Sequence, residues 1–278
     1  MRPMDFGDSL LVGGITRTYL VHVPDNSPAR ALILVFHGGG GRARGMPLLT
    51  HFNRIANREG FVVAYPDGYR RHWTLIDEMQ ENGVDDIAFI AALIEKMARA
   101  YTIAPLKVYA AGISNGGFFV QRLVVEPEIS GRISAIASVA ATMPMNLSAV
   151  ERLSKPISVM LIHGTDDPLV PFEGGRVRAG ARRPVLSATA SADKWAQLNG
   201  CSSTPAASYL PDRSRDSTRV RVENFLQCRE GVEVVLYAVE GGGHTWPGGW
   251  QYMSERFIGR TSRNIDASEE IAAFFKRH

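Results

Sequence analysis

Apolar residues recur along this chain in two spacings that take turns. Tyr19-Leu20-Val21-His22-Val23 alternates with period two, and after a turn at Pro24-Asp25-Asn26 the run Ala31 to Phe36 is apolar throughout. That pattern predicts a half-buried strand followed by a fully buried one. Met46 to Arg58 carries helical spacing and stops at Gly60, ahead of another apolar strand, Phe61 to Tyr65, closed by Pro66-Asp67-Gly68. Asp85 and Asp86 suit the first turn of a helix that sends Ile87, Phe89, Ile90, Leu93, Ile94 and Met97 toward a core. Lys107 to Ala111 reads as a strand, Phe118 to Val125 as a helix, and Ile133 to Val139, Ile157 to Ile162 and Val232 to Val239 as further strands. An amphipathic helix over Ala267 to Lys276, with Asp266 as its N-cap, closes the chain. Strands alternating with helices predict one α/β domain over residues 1–278, built on a mostly parallel sheet with helices on both faces.

Composition narrows the picture little. Of 278 residues, 45% are hydrophobic and 21% charged, and the formal net charge is +3, values ordinary for a folded globular protein. Arginines gather at Arg176, Arg178, Arg182 and Arg183, and again at Arg213, Arg215, Arg219 and Arg221, in stretches rich in Gly, Ser, Pro and Asp. Such stretches read as solvated loop faces; a nucleic-acid site would need interleaved aromatics or a known module. The longest apolar runs are too short and too interrupted by Ser and Thr to span a bilayer, and Met1-Arg2-Pro3-Met4-Asp5 lacks the apolar core of a leader, which leaves a cytosolic chain or a secreted or periplasmic one whose leader has been removed. Cys201 and Cys228 have no C-x-x-C spacing and no paired histidines, which argues against zinc and leaves a single disulfide, the favoured reading, or two inert thiols.

The candidate chemistry begins at Gly112-Ile113-Ser114-Asn115-Gly116. In a chain with 27 glycines a G-x-S-x-G is weak by itself. Here it joins an expected strand to an expected helix, the arrangement that lifts a serine hydroxyl out of a tight turn as a nucleophile. A serine needs an imidazole to take its proton, and the imidazole needs a carboxylate to fix its tautomer. On an α/β sheet the expected order is Ser, acid, His. His163-Gly164-Thr165-Asp166-Asp167 follows one strand end and Gly241-Gly242-Gly243-His244 another, so the order is met by Ser114, Asp166 or Asp167, and His244. Spacing does not separate the two aspartates. His22, His51, His72 and His278 fall within a strand, on a helix, in a loop and at the terminus, and are less suited to the role. The backbone N–H of Asn115 and one from Gly38 to Gly41, with Gly39 preferred, would receive the negative oxygen of a tetrahedral intermediate. A phosphate loop is ruled out there by the lack of a Lys-Ser or Lys-Thr. This chemistry calls for no metal or organic cofactor.

Together the segments Gly14 to Tyr19, His37 to Gly41, Tyr65 to Gly68, Gly112 to Gly117, His163 to Pro171, Asn199 to Cys201, Glu240 to Gly248 and Asp266 to Ser268 resemble the polyhydroxybutyrate depolymerase-type esterases. That group includes the bacterial feruloyl and acetylxylan esterases of carbohydrate esterase family 1, and the resemblance runs through nearly the whole chain. It implies an α/β-hydrolase fold and a serine carboxylesterase acting on small or polymeric esters, feruloyl esters of plant polysaccharide first. Hydroxyalkanoate oligomers, aromatic polyesters and acetylated xylan are alternatives. It also implies that Asp167 is the acid, that Cys201 and Cys228 are paired, and that the protein works outside the cytoplasm. The sequence departs from the family where Arg71-His72-Trp73 runs into Thr74-Leu75-Ile76 instead of an Asn-Asp pair, which puts the family's substrate preference in doubt. Trp73, Phe118 and Trp246 are the candidate walls of the substrate pocket. A non-catalytic binding protein on this scaffold would be expected to lack a triad member, and a peptidase of this fold to carry an extra domain.

Overall fold

The computed structural model of the protein describes residues 4–24, 30–75, 83–101, 107–180, 182–202 and 204–278. Within them the chain forms β1 (Met4–Val12), β2 (Ile15–Val23), β3 (Ala31–Phe36), α1 (Met46–Thr50), α2 (Phe52–Glu59), β4 (Phe61–Pro66), α3 (Asp86–Tyr101), β5 (Val108–Ile113), α4 (Asn115–Leu123) and α5 (Pro127–Ser130). It continues as β6 (Ala135–Val139), β7 (Ser158–Gly164), β8 (Gly175–Arg176), β9 (Pro184–Val185), α6 (Ala188–Asn199), β10 (Ala206–Tyr209), β11 (Arg219–Phe225), β12 (Val234–Glu240), α7 (Glu255–Ile258) and α8 (Ala267–Lys276). Asp25 and Asn26 of the expected turn, and Ile76 beyond Leu75, lie outside the described residues.

Ten strands make one sheet in the order β1-β2-β4-β3-β5-β6-β7-β12-β11-β10. The six from β4 to β12 pair in parallel, and the two strands at each edge are antiparallel. The period-two rule sorts the buried strands between two cores. Leu32, Leu34 and Phe36 pack with α3 and α4 on one face, while Ala31, Ile33 and Val35 pack with α2 and α8 on the other. This is why the central strands read as unbroken apolar runs: helices cover both faces.

The antiparallel edges escaped the sequence reading. β1 and β2 meet at Gly13-Gly14, both with positive φ (56° and 78°), a two-residue hairpin turn that suits the twist of the strands. Arg219 and Arg221, expected on a loop, lie on β11, alternating with the buried Val220 and Val222. The helix expected from Met46 to Arg58 is broken at His51, whose φ is 55°. Thr50 bonds its hydroxyl back to the Met46 carbonyl at 2.8 Å, and its own carbonyl accepts from Ser268 Oγ on α8, so packing between helices replaces the next helical bond. Asp266 does cap α8, accepting from the N–H of Ser268 and Glu269. Cys201, just past α6, is disulfide-bonded to Cys228, just past β11.

Candidate active site

β5 ends at Ile113, α4 begins at Asn115, and Ser114 between them has φ 55° and ψ −120°. A non-glycine residue held there is strained, and the surroundings fix it. Its N–H donates to the Val139 carbonyl at 2.9 Å, and its carbonyl accepts from the N–H of Phe118 at 2.9 Å. A side chain at Gly116 would come within 2.6 Å of the Phe36 and His37 carbonyl oxygens, so only glycine lets α4 approach β3 this closely.

β7 and β12 deliver the other two groups. Their following loops are tied together where Thr165 N–H meets the Val239 carbonyl, Asp166 N–H meets the Gly242 carbonyl, and Gly241 N–H meets Thr165 Oγ1, each at 2.9 Å. Asp167 is buried, and its Oδ1 accepts from the N–H groups of Leu169 and Val170, both at 2.8 Å. Its Oδ2 lies 2.8 Å from His244 Nδ1, so that nitrogen carries the proton and Nε2 is left as an acceptor. Asp166 is exposed and is met by its neighbour Thr165. His163 stands 3.6 Å from Asp167 Oδ2 and donates to the Val170 carbonyl; burial holds its imidazole below the usual range, so it stays neutral. Tyr252 braces the histidine from behind by donating to the His244 carbonyl at 2.7 Å.

The glycine run lies against the serine. A Cβ on Gly38 would stand 3.4 Å from Ser114 Cβ, and one on Gly39 would stand 3.7 Å from Asn115 Cβ. The N–H groups of Gly40 and Gly41 are taken, by the Arg71 and Gly38 carbonyls at 2.9 Å each, whereas that of Gly39 has no acceptor among the described residues. Three side chains set this run. His37 donates from Nδ1 to the Gly38 carbonyl at 2.8 Å and accepts at Nε2 from Gly68 N–H at 3.0 Å; burial keeps it neutral, as this pattern requires. The Arg71 guanidinium donates to the carbonyls of Gly40 and Gly41. Trp73 Nε1 donates to the His37 carbonyl at 3.0 Å. Asn115 clamps the Trp73 backbone, accepting its N–H at 2.7 Å and donating to its carbonyl at 3.1 Å, while its own N–H heads α4.

Ser114, His244, Gly39 and Asn115 line one cleft of about 680 Å³. Among the described residues the hydrogen bond of the His244 ring is the one to Asp167. Trp73 and Phe118 are among the residues bordering the cleft, both of them buried, the former stacked on Phe119 at 4.9 Å. Trp246 is not. It is fully buried, donates to Ser268 Oγ at 3.0 Å and meets Phe52 edge-on, so it belongs to the core beneath the histidine loop. The wall expected from it comes instead from Trp250, Tyr252 and Met253. Trp246-Pro247-Gly248-Gly249-Trp250 placed two tryptophans on one turn; the apolar pattern does not say which faces the cleft.

The departure at Thr74 has a physical account. Thr74 donates to Asp86 Oδ2 from both its N–H and its hydroxyl, each at 2.8 Å. Asp86 is held in turn by Arg17, and Arg122 donates to the Thr74 carbonyl at 2.8 Å. Arg17, Asp86 and Arg122 are all buried, so Trp73 stands on a fixed ionic footing.

No profile of a known protein family matches the chain. Individual proteins do. A protein named esterase NocK from Nocardia uniformis is 30% identical over 281 residues, which cover 95% of this chain and 80% of that one. A protein named feruloyl esterase C from Aspergillus clavatus is 25% identical over 236 residues, 82% of this chain and 75% of the other. Among solved structures, an acetyl xylan esterase from Aspergillus awamori matches with a TM-score of 0.64 at 14% identity, covering 98% of this chain and 100% of that one, a likeness of fold.

Proposed function

We propose that in this chain, which belongs to the esterases and is a carboxylic ester hydrolase, Ser114 is the nucleophile, His244 the general base and Asp167 the acid that orients the base. The observation that carries this reading is the 2.8 Å bond from His244 Nδ1 to a buried, twice hydrogen-bonded Asp167, in a histidine that lines the same cleft as Ser114. Ser114 attacks the ester carbonyl as Nε2 takes its proton, and the N–H groups of Gly39 and Asn115 receive the oxyanion. The imidazolium returns the proton to the leaving alcohol, and water then cleaves the acyl-enzyme by the same route.

The acyl group is of feruloyl type. A relative named for feruloyl ester cleavage covers most of the chain, and Trp73, Leu75, Phe118 and Trp250 offer an apolar cleft in the size range of small-molecule sites. An acetyl group would leave most of it unfilled. The Cys201–Cys228 disulfide supports work in an oxidising compartment outside the cytoplasm. No helix among the described residues is long and apolar enough to cross a membrane.

Ser114→Ala tests the reading. Turnover of methyl ferulate and of a para-nitrophenyl ester is expected to vanish with the thermal transition retained, together with labelling by a fluorophosphonate probe. Undiminished turnover in that variant would end the proposal.

A further inference from the structure

The cleft has a charge pattern that neutral ester hydrolysis does not require. Arg42, Arg182 and Arg183 are among its lining residues, and among the described residues no aspartate or glutamate is. Arg42 follows the glycine run, and the other two lie on the loop between β8 and β9. That loop is anchored at both ends: Val177 N–H meets the Arg183 carbonyl at 2.9 Å, and Arg178 N–H meets the Leu169 carbonyl, beside Asp167, at 2.8 Å. Some surface arginines elsewhere hold carboxylates, while others, Arg44 and Arg256 among them, have none among the described residues. Arg58, Arg132 and Arg277 have one at 2.6, 2.7 and 3.0 Å. Arg42 and Arg182 have none among the described residues. The Arg71 guanidinium, on the glycine carbonyls, adds a further positive charge beside the same cleft. Asp167 does not offset these, because it is buried behind His244 and bonded to it.

Cations without counter-ions beside apolar walls raise the local concentration of anions, and a guanidinium binds a carboxylate in a two-pronged geometry that a neutral group cannot satisfy. We infer that the preferred substrates carry a carboxylate besides the ester that is cut, held at the cleft mouth by Arg42 and Arg182. The loop expected from sequence to be a solvated face is then part of the substrate site. The inference rests on the ester-hydrolase reading of this cleft and adds the charge of what it accepts.

Two matched substrate pairs test it. One pair places the carboxylate on the acyl tail, mono-para-nitrophenyl glutarate against para-nitrophenyl pentanoate; the other places it on the alcohol, para-acetoxybenzoate against para-methylphenyl acetate. In at least one pair the wild-type kcat/KM for the anion should exceed that for its neutral partner by about 5-fold or more at low salt, as for a charge pair formed on binding. Which pair responds says whether the carboxylate sits on the acyl or the alcohol side. Raising salt from about 20 mM to about 500 mM should shrink the ratio, because screening acts on the anion alone. The double variant Arg42→Gln, Arg182→Gln should bring the ratio below about 2-fold, and Arg42→Lys, Arg182→Lys should keep most of it. Neutral esters preferred or equal in both pairs, or a ratio unchanged in the glutamine variant, would overturn the inference. Neither outcome touches the assignment of Ser114, which stands or falls on Ser114→Ala with the neutral esters.

Discussion

Replacing Asp167 by Asn changes one atom in the proposed triad, and the structure dictates which way the new amide must turn. Oδ1 receives two backbone N–H groups, from Leu169 and Val170, and Oδ2 receives His244 Nδ1–H. If the amide NH₂ took the Oδ1 position it would face two donors, leaving unmet hydrogen bonds at roughly 1–3 kcal/mol each in a buried site. The amide oxygen therefore stays on Leu169 and Val170, and the NH₂ points at His244 Nδ1. That nitrogen must then accept, which moves the imidazole proton to Nε2, the atom that should take the proton of Ser114. Returning to the working tautomer sets an N–H against an N–H and also forfeits the carboxylate that stabilises the imidazolium. Together these should cost about 4–5 kcal/mol of transition-state stabilisation, or about a thousandfold to several thousandfold in kcat.

Asp167 is not among the residues lining the cleft, so KM should stay within about threefold of wild type. The assay is steady-state hydrolysis of para-nitrophenyl acetate near neutral pH, with thermal melting to show that the variant folds. Asp166→Asn is the matched control: its side chain is exposed and bonded to Thr165, so kcat should change by less than about twofold. A variant at position 167 that keeps more than about a tenth of wild-type kcat would refute the tautomer argument. Equal losses at 166 and 167 would refute the choice between them.

Three further outcomes are expected. Arg71→Gln should loosen the glycine run by removing the donor to the Gly40 and Gly41 carbonyls, lowering kcat by about 10-fold with KM nearly unchanged, because the oxyanion donors act in the transition state; a pure KM effect would argue against that role. Trp246→Phe and Trp250→Ala should behave oppositely. The first empties part of the core and loses the bond to Ser268, lowering Tm by several degrees at roughly 1–3 kcal/mol with KM retained, and the second raises KM for methyl ferulate with Tm retained. Burial holds His37 and His163 below the usual imidazole range, so the unfolded chain binds more protons than the folded one once pH drops below about 6.5; their contribution is complete above that pH and is lost as pH falls through it. Melting followed from pH 8 to about pH 5 should show Tm falling over that window, and a flat or rising Tm would contradict the neutral assignments.

What could be read from the sequence follows from which constraints are local. The strand Ala31 to Phe36 was legible because burial on both faces demands apolar residues at six consecutive positions. α8 was legible to the residue because Asp266 caps it and its apolar stripe is continuous. The antiparallel edges were harder, since their strands bury one face and mix charged residues such as Arg219 and Arg221 into the pattern. Gly13-Gly14 carried the hairpin signal and was available all along. The break at His51 was not, because it depends on Ser268, more than two hundred residues away, reaching the Thr50 carbonyl.

The candidate site divides along the same line. Ser114 directly follows β5, and Asp167 and His244 stand in the loops after β7 and β12, so motif and order pointed to the proposed nucleophile and base, while resemblance and not spacing chose Asp167 over Asp166. The groups that aim them were invisible, because they act across the fold: His37 receives Gly68, Arg71 holds Gly40 and Gly41, and Asp86 fixes Thr74. The cleft walls were read with least success for a related reason. A wall residue is selected by what it faces, and a buried tryptophan and a cleft tryptophan four positions apart look alike in one dimension. The same holds for charge. Arg182 reads as a solvated loop residue until β8 and β9 turn its loop onto the cleft, and only there does a cation with no carboxylate among the described residues suggest the charge of the proposed substrate. The proposed reacting groups are thus marked by short motifs, while the proposed choice among esters rests on loops whose meaning exists only once they are folded together.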